Sequence, residues 1–196
     1  MHFQIVHCHP LADSYSHALF VAIVAALEER GHRVTANDLY AEEFDPALRP
    51  AERQSYFGPA YAGAAVEHYT GLLRQVDGLI ISFPQWWFGM PAVLKGYFDR
   101  VWAPGIAFAH DIAGARITPL LTHIKVFGVV TTYGSPWWAA RLYAGDPARK
   151  VLLRALKPMC GKGVRSFYLA HYAMDRSTPA SRQAFIERVR RTVGAL

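Results

Sequence analysis

Two apolar runs in the middle of the chain constrain its fold more than any other feature. Residues 77–84 (DGLIISFP) form a near-continuous apolar run, and residues 125–132 (KVFGVVTT) form a second. A strand with one exposed face alternates apolar and polar residues, whereas a strand of a parallel sheet is covered on both faces. The two runs therefore predict buried strands of a parallel sheet that has helices on both sides.

Helical patterns separate the predicted strands along the whole chain. The predicted strands cover 3–8, 32–40, 77–84, 125–132 and 164–172, and the predicted helices cover 17–31, 64–76, 92–102, 146–160 and 178–193. Strand and helix alternate five times, which predicts an α/β fold. We expect a flavodoxin-like three-layer α/β/α sandwich with a five-stranded parallel sheet of order 2-1-3-4-5. A shorter Rossmann variant would give the same alternation.

The size and charge of the chain favour an ordinary globular protein. Its 196 residues fit a single domain over 1–196, and 21 Lys and Arg against 15 Asp and Glu give a net charge of +6. The arginines near the end lie on an amphipathic helix pattern without interleaved aromatic residues, so no nucleic-acid partner is expected. No apolar run reaches the ~18 residues of a membrane span, and no leader-like segment opens the chain. We expect a cytoplasmic protein with no membrane span.

Neither cysteine has the spacing of a metal ligand. Cys8 and Cys160 form no CxxC pair and no cluster with metal-binding spacing, so no metal site is expected. Cys8 lies within an apolar run and is predicted to be a buried, unreactive side chain.

The first predicted loop, residues 9–16 (HPLADSYS), offers an anion site. Ligands of an open parallel sheet bind beyond the carboxyl ends of the strands, where this loop lies. Ser14 and Ser16 supply hydroxyls, and the following helix supplies free N–H groups, which together suit a phosphate. The same serines would also serve as an ordinary helix N-cap. The chain has neither GxGxxG nor GxxxxGK[ST], which disfavours a Rossmann dinucleotide site and a P-loop.

The loops after the third and fourth strands are rich in aromatic residues. Residues 83–91 (FPQWWFGMP) predict a flat wall that stacks on a planar ring, or else core or dimer-interface aromatics. Residues 131–138 (TTYGSPWW) offer hydroxyls and N–H groups to the polar edge of such a ring, or else a packed turn. All three loops face one end of the predicted sheet, so together they favour a nucleotide with a planar ring.

At these residues the chain resembles a known family. Residues 83–101 (FPQWWFGMPAVLKGYFDRV) are similar to the pattern FPxxWFGxPAxLKGxFDRV of the flavodoxin-fold NAD(P)H:quinone oxidoreductases, the DT-diaphorase group and its bacterial relatives. HxxxxS at 9–14 and TTxG at 131–134 follow the same family order, and the resemblance covers almost the whole chain. Lys95, Asp99 and Arg100 of the long motif are expected to form surface or dimer ion pairs.

The resemblance implies a flavin-dependent reductase. The family holds FAD non-covalently at a homodimer interface, although FMN is compatible with the residues here, and it takes hydride from NAD(P)H and passes it to a quinone or similar small acceptor in a ping-pong cycle. The resemblance also implies which residues contact the flavin phosphates, the isoalloxazine ring and its pyrimidine end. They are His9, Ser14, Tyr15, Ser16, Pro84, Gln85, Trp86, Trp87, Phe88, Thr131, Thr132, Tyr133 and Gly134.

The acceptor pocket departs from the family pattern. Tyr133 replaces a glycine of the family's TTGG, and Trp138 stands where mammalian members carry a tyrosine of a charge relay. Phe108 and His110 replace two pocket tyrosines, so Phe108, His110 and Trp138 are the predicted substrate pocket. No catalytic residue is assigned, but His110 and Tyr133 are candidate proton donors. Two alternatives remain: a regulatory ancillary subunit of a glutathione-gated potassium efflux system, and a one-electron carrier like flavodoxin.

Overall fold

A five-stranded parallel sheet forms the centre of the computed structural model, which describes residues 1–58, 61–110 and 116–196, without the side chain of His110. The strands are β1 His2–His7, β2 Arg33–Asp38, β3 Gly78–Gln85, β4 Phe108–His110, β5 Ile117–Pro119, β6 Val126–Tyr133 and β7 Arg165–His171. The strand order in the sheet is β2-β1-β3-β6-β7, which is the predicted order 2-1-3-4-5 for the strands of this sheet. A separate antiparallel pair, β4 and β5, was not predicted.

Helices cover both faces of the sheet, although two of the predicted helices are less regular than expected. The predicted helix over 64–76 begins as a 3₁₀ turn at 64–66 and ends at residue 73. The predicted helix over 146–160 is α-helical only at its start, then π-helical over 151–156 and 3₁₀ over 157–160. The α-helices are α1 Tyr15–Glu28, α2 Pro50–Ser55, α3 Glu67–Leu73, α4 Ala92–Val101, α5 Pro147–Lys150 and α6 Pro179–Val193.

The apolar core consists of two layers, one on each face of the sheet. Ile5 and Ile80 face α1 and α6 on one side, whereas Val6 and Ile81 face α3 and α4 on the other. All eight residues of β3 and all eight of β6 are buried, which explains why their sequences do not alternate. The predicted α/β/α sandwich is confirmed.

Arg100 corrects one expectation, because it is buried and does not form a surface pair. Its guanidinium donates hydrogen bonds to the Glu52 carboxylate, with an NH2–Oε1 distance of 2.7 Å, and both residues are 3% exposed. The pair joins α2 to the end of α4. Lys95 and Asp99 do form the expected exposed pair, four residues apart on α4.

Candidate functional site

Three loops meet at the carboxyl edge of the sheet. β1, β3 and β6 are adjacent and parallel, so the segments 8–14, 86–91 and 134–138 leave the sheet at the same end. Gln85 pairs with Tyr133 in the β3–β6 register, so these two strands end side by side. The rings of His9 and Trp86 lie 6.1 Å apart, which brings the first loop against the second.

The side chains of the first loop are used to fold the loop itself. Ser14 is the N-cap of α1, and its Oγ accepts a hydrogen bond from the His17 N–H at 3.1 Å. The Nδ1 atom of His9 accepts from the Leu11 N–H at 3.1 Å. The N–H groups of the first helical turn have no carbonyl partner within a helix, and the helix dipole adds positive potential there. The main-chain N–H groups at the start of α1 are thus the groups available to an anion.

Tyr15 and Ser16 have buried or half-buried side chains. The Tyr15 hydroxyl lies 2.9 Å from Nδ1 of His171 and donates to the Arg182 carbonyl at 3.3 Å, so its ring packs towards β7 and α6. Burial raises the pKa of the Tyr15 hydroxyl. Ser16 is only 5% exposed. Both residues therefore offer a ligand mainly their N–H groups.

The second loop contains a tight turn with strained backbone. The N–H of Gly89 donates to the Trp86 carbonyl at 2.9 Å, and the N–H of Trp86 donates back to the Gly89 carbonyl at 3.2 Å. Trp87 and Phe88, between them, have φ of +52° and +58°, the left-handed pair of a type I′ turn that favours Asn and Gly. Trp87 is 99% exposed, so packing within this chain does not compensate the strain. Such strain at a strand exit favours a ligand-binding role.

A chain of hydrogen bonds lies beneath the third loop. The Tyr133 hydroxyl donates to Oδ1 of Asp146 at 2.6 Å and also lies 2.6 Å from the Tyr168 hydroxyl. The Gln85 amide donates to the same Tyr168 hydroxyl at 2.9 Å. Tyr172 stacks on the Tyr133 ring with centroids 4.5 Å apart. Burial raises the pKa of both Tyr133 and Tyr168, so both hydroxyls stay protonated at neutral pH.

Several polar atoms at the ends of β3 and β6 are buried without a partner in the described part of the chain. They include Oγ1 of Thr131 and Oε1 of Gln85. Thr132 is also buried, and Pro84 pairs with it in the sheet register. Unpaired buried acceptors and hydroxyls are costly, and a polar ligand edge would satisfy them. At Gly134, a Cβ would lie 3.2 Å from the Asp175 carboxylate, so a side chain there would require Asp175 to shift slightly.

A cleft of about 230 Å³ joins the second and third loops. It brings together three of the residues expected at a flavin ring (Gln85, Trp87, Phe88), two expected at its pyrimidine end (Tyr133, Gly134), and Ser135. Trp86, 41% exposed, lies at the edge of the same turn but does not line the cleft. The first-loop residues also lie outside the cleft, at the neighbouring strand end.

Two residues of the predicted substrate pocket, Phe108 and Trp138, do not line this cleft. Trp138 is exposed at the start of the π-helical segment 139–143. Phe108 lines a separate apolar groove of about 270 Å³, together with Met90, Trp102 and others. The side chain of His110 lies outside the described part of the structure.

The edge fits a flavin nucleotide in three respects. An exposed flat indole stands beside the cleft, buried polar atoms without partners lie at its base, and free N–H groups open the neighbouring helix. An aromatic face, polar groups and a helix N-terminus suit a planar ring, its polar edge and a phosphate respectively. Residues 84–88, residues 131–134 and the N–H groups of Tyr15 and Ser16 are therefore the groups that would hold it.

Asp146 and Tyr168 are site residues that the sequence did not identify. Asp146 lies 13 residues after Tyr133 and adopts φ +50°, a third strained position near the cleft. Tyr168 lies on β7, and its hydroxyl contacts Gln85 and Tyr133, which line the cleft, because β7 pairs with β6. Gly145, directly before Asp146, marks a turn in the sequence, whereas Tyr168 has no signal apart from the sheet order.

The family model for proteins of flavodoxin-like fold matches residues 1–193. The chain belongs to this family, and its resemblance to the flavodoxin-fold NAD(P)H:quinone oxidoreductases is confirmed. Among the described residues, no helix has both the length and the apolar character needed to cross a membrane.

Curated relatives include two named oxidoreductases. The chain is 37% identical to the uncharacterized NAD(P)H oxidoreductase YcaK of Escherichia coli over 106 residues, 53% of this chain and 54% of that protein. It is 34% identical to NAD(P)H dehydrogenase [quinone] 1 of Cavia porcellus over 124 residues, 54% of this chain and 44% of that protein. The matches thus span about half the length of these relatives.

A solved structure matches over almost its whole length. The NAD(P)H:quinone oxidoreductase from Methanothermobacter marburgensis superposes with a TM-score of 0.84 at 26% identity. The match covers 99% of this chain and 96% of that one.

We predict that replacing Trp87 by glycine stabilises the protein in the absence of ligand. Glycine tolerates the left-handed backbone, and the exposed indole gives up almost no buried area, so the free energy of unfolding should rise by roughly 1 kcal/mol. Denaturant unfolding measures the change. Val21→Gly is the matched control, because Val21 is also exposed but lies in the helical backbone of α1, where glycine should lower stability. A loss of stability in Trp87→Gly would contradict the inferred strain.

Proposed function

We propose that the protein is a flavin-dependent NAD(P)H oxidoreductase that reduces a quinone or a similar small two-electron acceptor. The proposed flavin is FAD, and the proposed cycle is ping-pong, with NAD(P)H and the acceptor using one pocket in turn. NAD(P)H is a cytoplasmic reductant, and the cytoplasm is the proposed location. The curated relatives whose names include NAD(P)H support this assignment.

One observation carries the proposal: the cleft between the strained turn 86–89 and the end of β6. It combines an exposed indole, Trp87, with the buried polar groups of Gln85 and Tyr133. Maintaining two non-glycine residues in left-handed conformation costs stability, and a ring-stacking role accounts for that cost. An ordinary surface turn at this position would use Asn-Gly.

The chain's own residues have separate tasks in the proposed reaction. A bound flavin accepts two electrons as hydride and passes them on, which is chemistry that no protein side chain supplies. Trp87 and Phe88 flank the ring site and exclude water from one side of it. The N–H groups at the start of α1 hold the phosphates. Because the main chain provides much of this binding, the proposed site does not require every side chain of the family pattern.

Tyr133 is the proposed proton donor to the acceptor. Reduction of a quinone by NAD(P)H consumes one proton for each hydride transferred, so a protonated group beside the cleft is useful. Tyr133 lines the cleft, and burial raises the pKa of its hydroxyl, so it is protonated at neutral pH; because the phenol is then a weak acid, the negative charge that develops on the reduced acceptor must drive the transfer. Its hydrogen bond to Asp146 and its contact with Tyr168 supply a path for reprotonation. Tyr133 would thus take over the role of the charge-relay tyrosine that mammalian members carry at the position of Trp138.

A homodimer is proposed as the active assembly. Four large side chains on one surface segment are strongly exposed in the single chain, which is typical of an interface. They are Trp137, Trp138, Leu142 and Tyr143, which are 55%, 55%, 74% and 86% exposed. Trp138 is thus a residue that a second copy would cover.

We predict that the purified protein is yellow or becomes yellow with added FAD. Anaerobic NADH or NADPH should bleach the visible absorbance, and a quinone should restore it. Mass spectrometry of the extracted cofactor distinguishes FAD from FMN. A protein that neither contains nor binds a flavin would overturn the proposal, whereas one whose flavin NAD(P)H cannot reduce would favour a regulatory or carrier role.

We predict that Tyr133→Phe slows the acceptor step but not flavin reduction. Loss of a positioned proton donor should lower the rate of reoxidation by quinone about 100-fold, with unchanged flavin content and an unchanged rate of reduction by NAD(P)H. Stopped-flow absorbance separates the two half-reactions. Tyr172→Phe is the matched control, because it removes a neighbouring hydroxyl outside the Tyr133–Asp146–Tyr168 chain. Equal effects of the two substitutions would refute a role for the Tyr133 proton.

A further inference from the structure

Two histidines and an aspartate converge beside the first loop. His7 ends β1, His17 lies in the first turn of α1, and Asp38 ends β2. One ligand atom from each lies within 4.8 Å of the others. Nδ1 of His17 is 3.8 Å from Oδ2 of Asp38, and the rings of His7 and His17 are 5.4 Å apart. None of the three lines the cleft between residues 85–88 and 133–135.

His7 is an unusual buried histidine. It has no exposed surface, and neither ring nitrogen has a hydrogen-bond partner of ordinary geometry in the described part of the chain, although the Ser82 main chain lies beside the ring. Its ring stacks on Phe20, with centroids 4.6 Å apart and planes at 11°. A buried imidazole normally has at least one partner, because burying a polar atom without one costs free energy. Even if the Ser82 main chain serves one ring nitrogen, the other has no partner among the described residues.

The other two groups also have an atom to offer. Oδ1 of Asp38 accepts hydrogen bonds from the N–H groups of Tyr40 and Ala41, which leaves Oδ2 facing His17. Nδ1 of His17 is buried and has no hydrogen-bond partner among the described residues. The aspartate is thus fixed by one oxygen while the other points into the cluster.

We propose that His7, His17 and Asp38 bind a divalent transition-metal ion of the zinc class. Two imidazole nitrogens and one carboxylate oxygen form a ligand set that zinc uses, with water as a fourth ligand. Bonds of about 2.0–2.2 Å to a tetrahedral ion place its ligands ~3.4 Å apart, so small side-chain rotations would close the observed separations. The absence of a thiolate from the set disfavours copper(I), which prefers sulfur.

Cys8, the next residue, is no competing ligand, because its side chain packs in the opposite core layer from His7.

A metal at this position would join three elements at the carboxyl edge of the sheet. It would link the ends of β1 and β2 to the first turn of α1, whose N–H groups form the proposed phosphate site. The ion would therefore stabilise that loop, whether or not the protein binds a flavin. Positions 7, 17 and 38 match no metal-binding spacing, which is why the sequence predicted no metal site.

Metal binding can be measured directly on the chelator-treated chain of 196 residues. Titration with Zn²⁺ by calorimetry should give one ion per chain, and elemental analysis after desalting should give the same ratio. Co²⁺, as a spectroscopic probe, should develop the intense visible absorbance of a four-coordinate site. Zn²⁺ should also raise the midpoint of thermal unfolding, because a ligand that binds the native state stabilises it.

Matched variants assign the site. His17→Asn and His7→Phe should each weaken Zn²⁺ binding by about 100-fold or more, since loss of an outer-shell partner alone costs 10–100-fold. His17 lies on a half-buried helix face, and the phenylalanine ring at position 7 keeps the stack on Phe20, so at least one variant should fold as judged by circular dichroism. His68→Asn, an exposed histidine outside the cluster, should bind as the unchanged chain does. Absence of stoichiometric binding by the unchanged protein, or undiminished binding by a folded cluster variant, would overturn the proposal.

Discussion

Burial of β3 and β6 on both faces is the constraint on which the rest of the structure depends. Both strands are fully covered because helices lie on each side of the sheet, and the connections through those helices make the neighbouring strands run parallel. All the loops that follow the strands then leave at one edge. The carboxyl ends of β1, β3 and β6 meet there, so segments far apart in the sequence lie beside one another: the second and third loops line the cleft, and the first loop lies at the neighbouring strand end.

That edge concentrates features that lower stability. Trp87, Phe88 and Asp146 have left-handed backbone, and Gln85 and Thr131 have buried polar atoms without partners among the described residues. The core layers beneath contain mostly apolar contacts and tolerate this cost. The distribution is typical of a protein in which a rigid scaffold positions a strained binding site.

The sequence predicted the sheet order because continuous apolar runs and intervening helices leave few topologies, and it predicted the three loops because they follow from that order. It did not predict the pair β4–β5, whose three-residue strands are too short to give a periodic signal. Arg100 was wrongly placed on the surface, because spacing along α4 cannot show that Glu52 from another helix covers it. Tyr133 lies close to Tyr168, and His7 lies close to Asp38, although each pair joins elements that are distant in the sequence. Such pairs can be identified only from the folded structure.

A crystal structure of the protein, from crystals grown in the presence of FAD, tests the central claim most directly. We predict that the isoalloxazine lies against Trp87 and Phe88, that its polar edge meets the buried groups at the ends of β3 and β6, and that a phosphate accepts hydrogen bonds from the first N–H groups of α1. Flavin density at another place on the protein, with this cleft empty, would contradict the account.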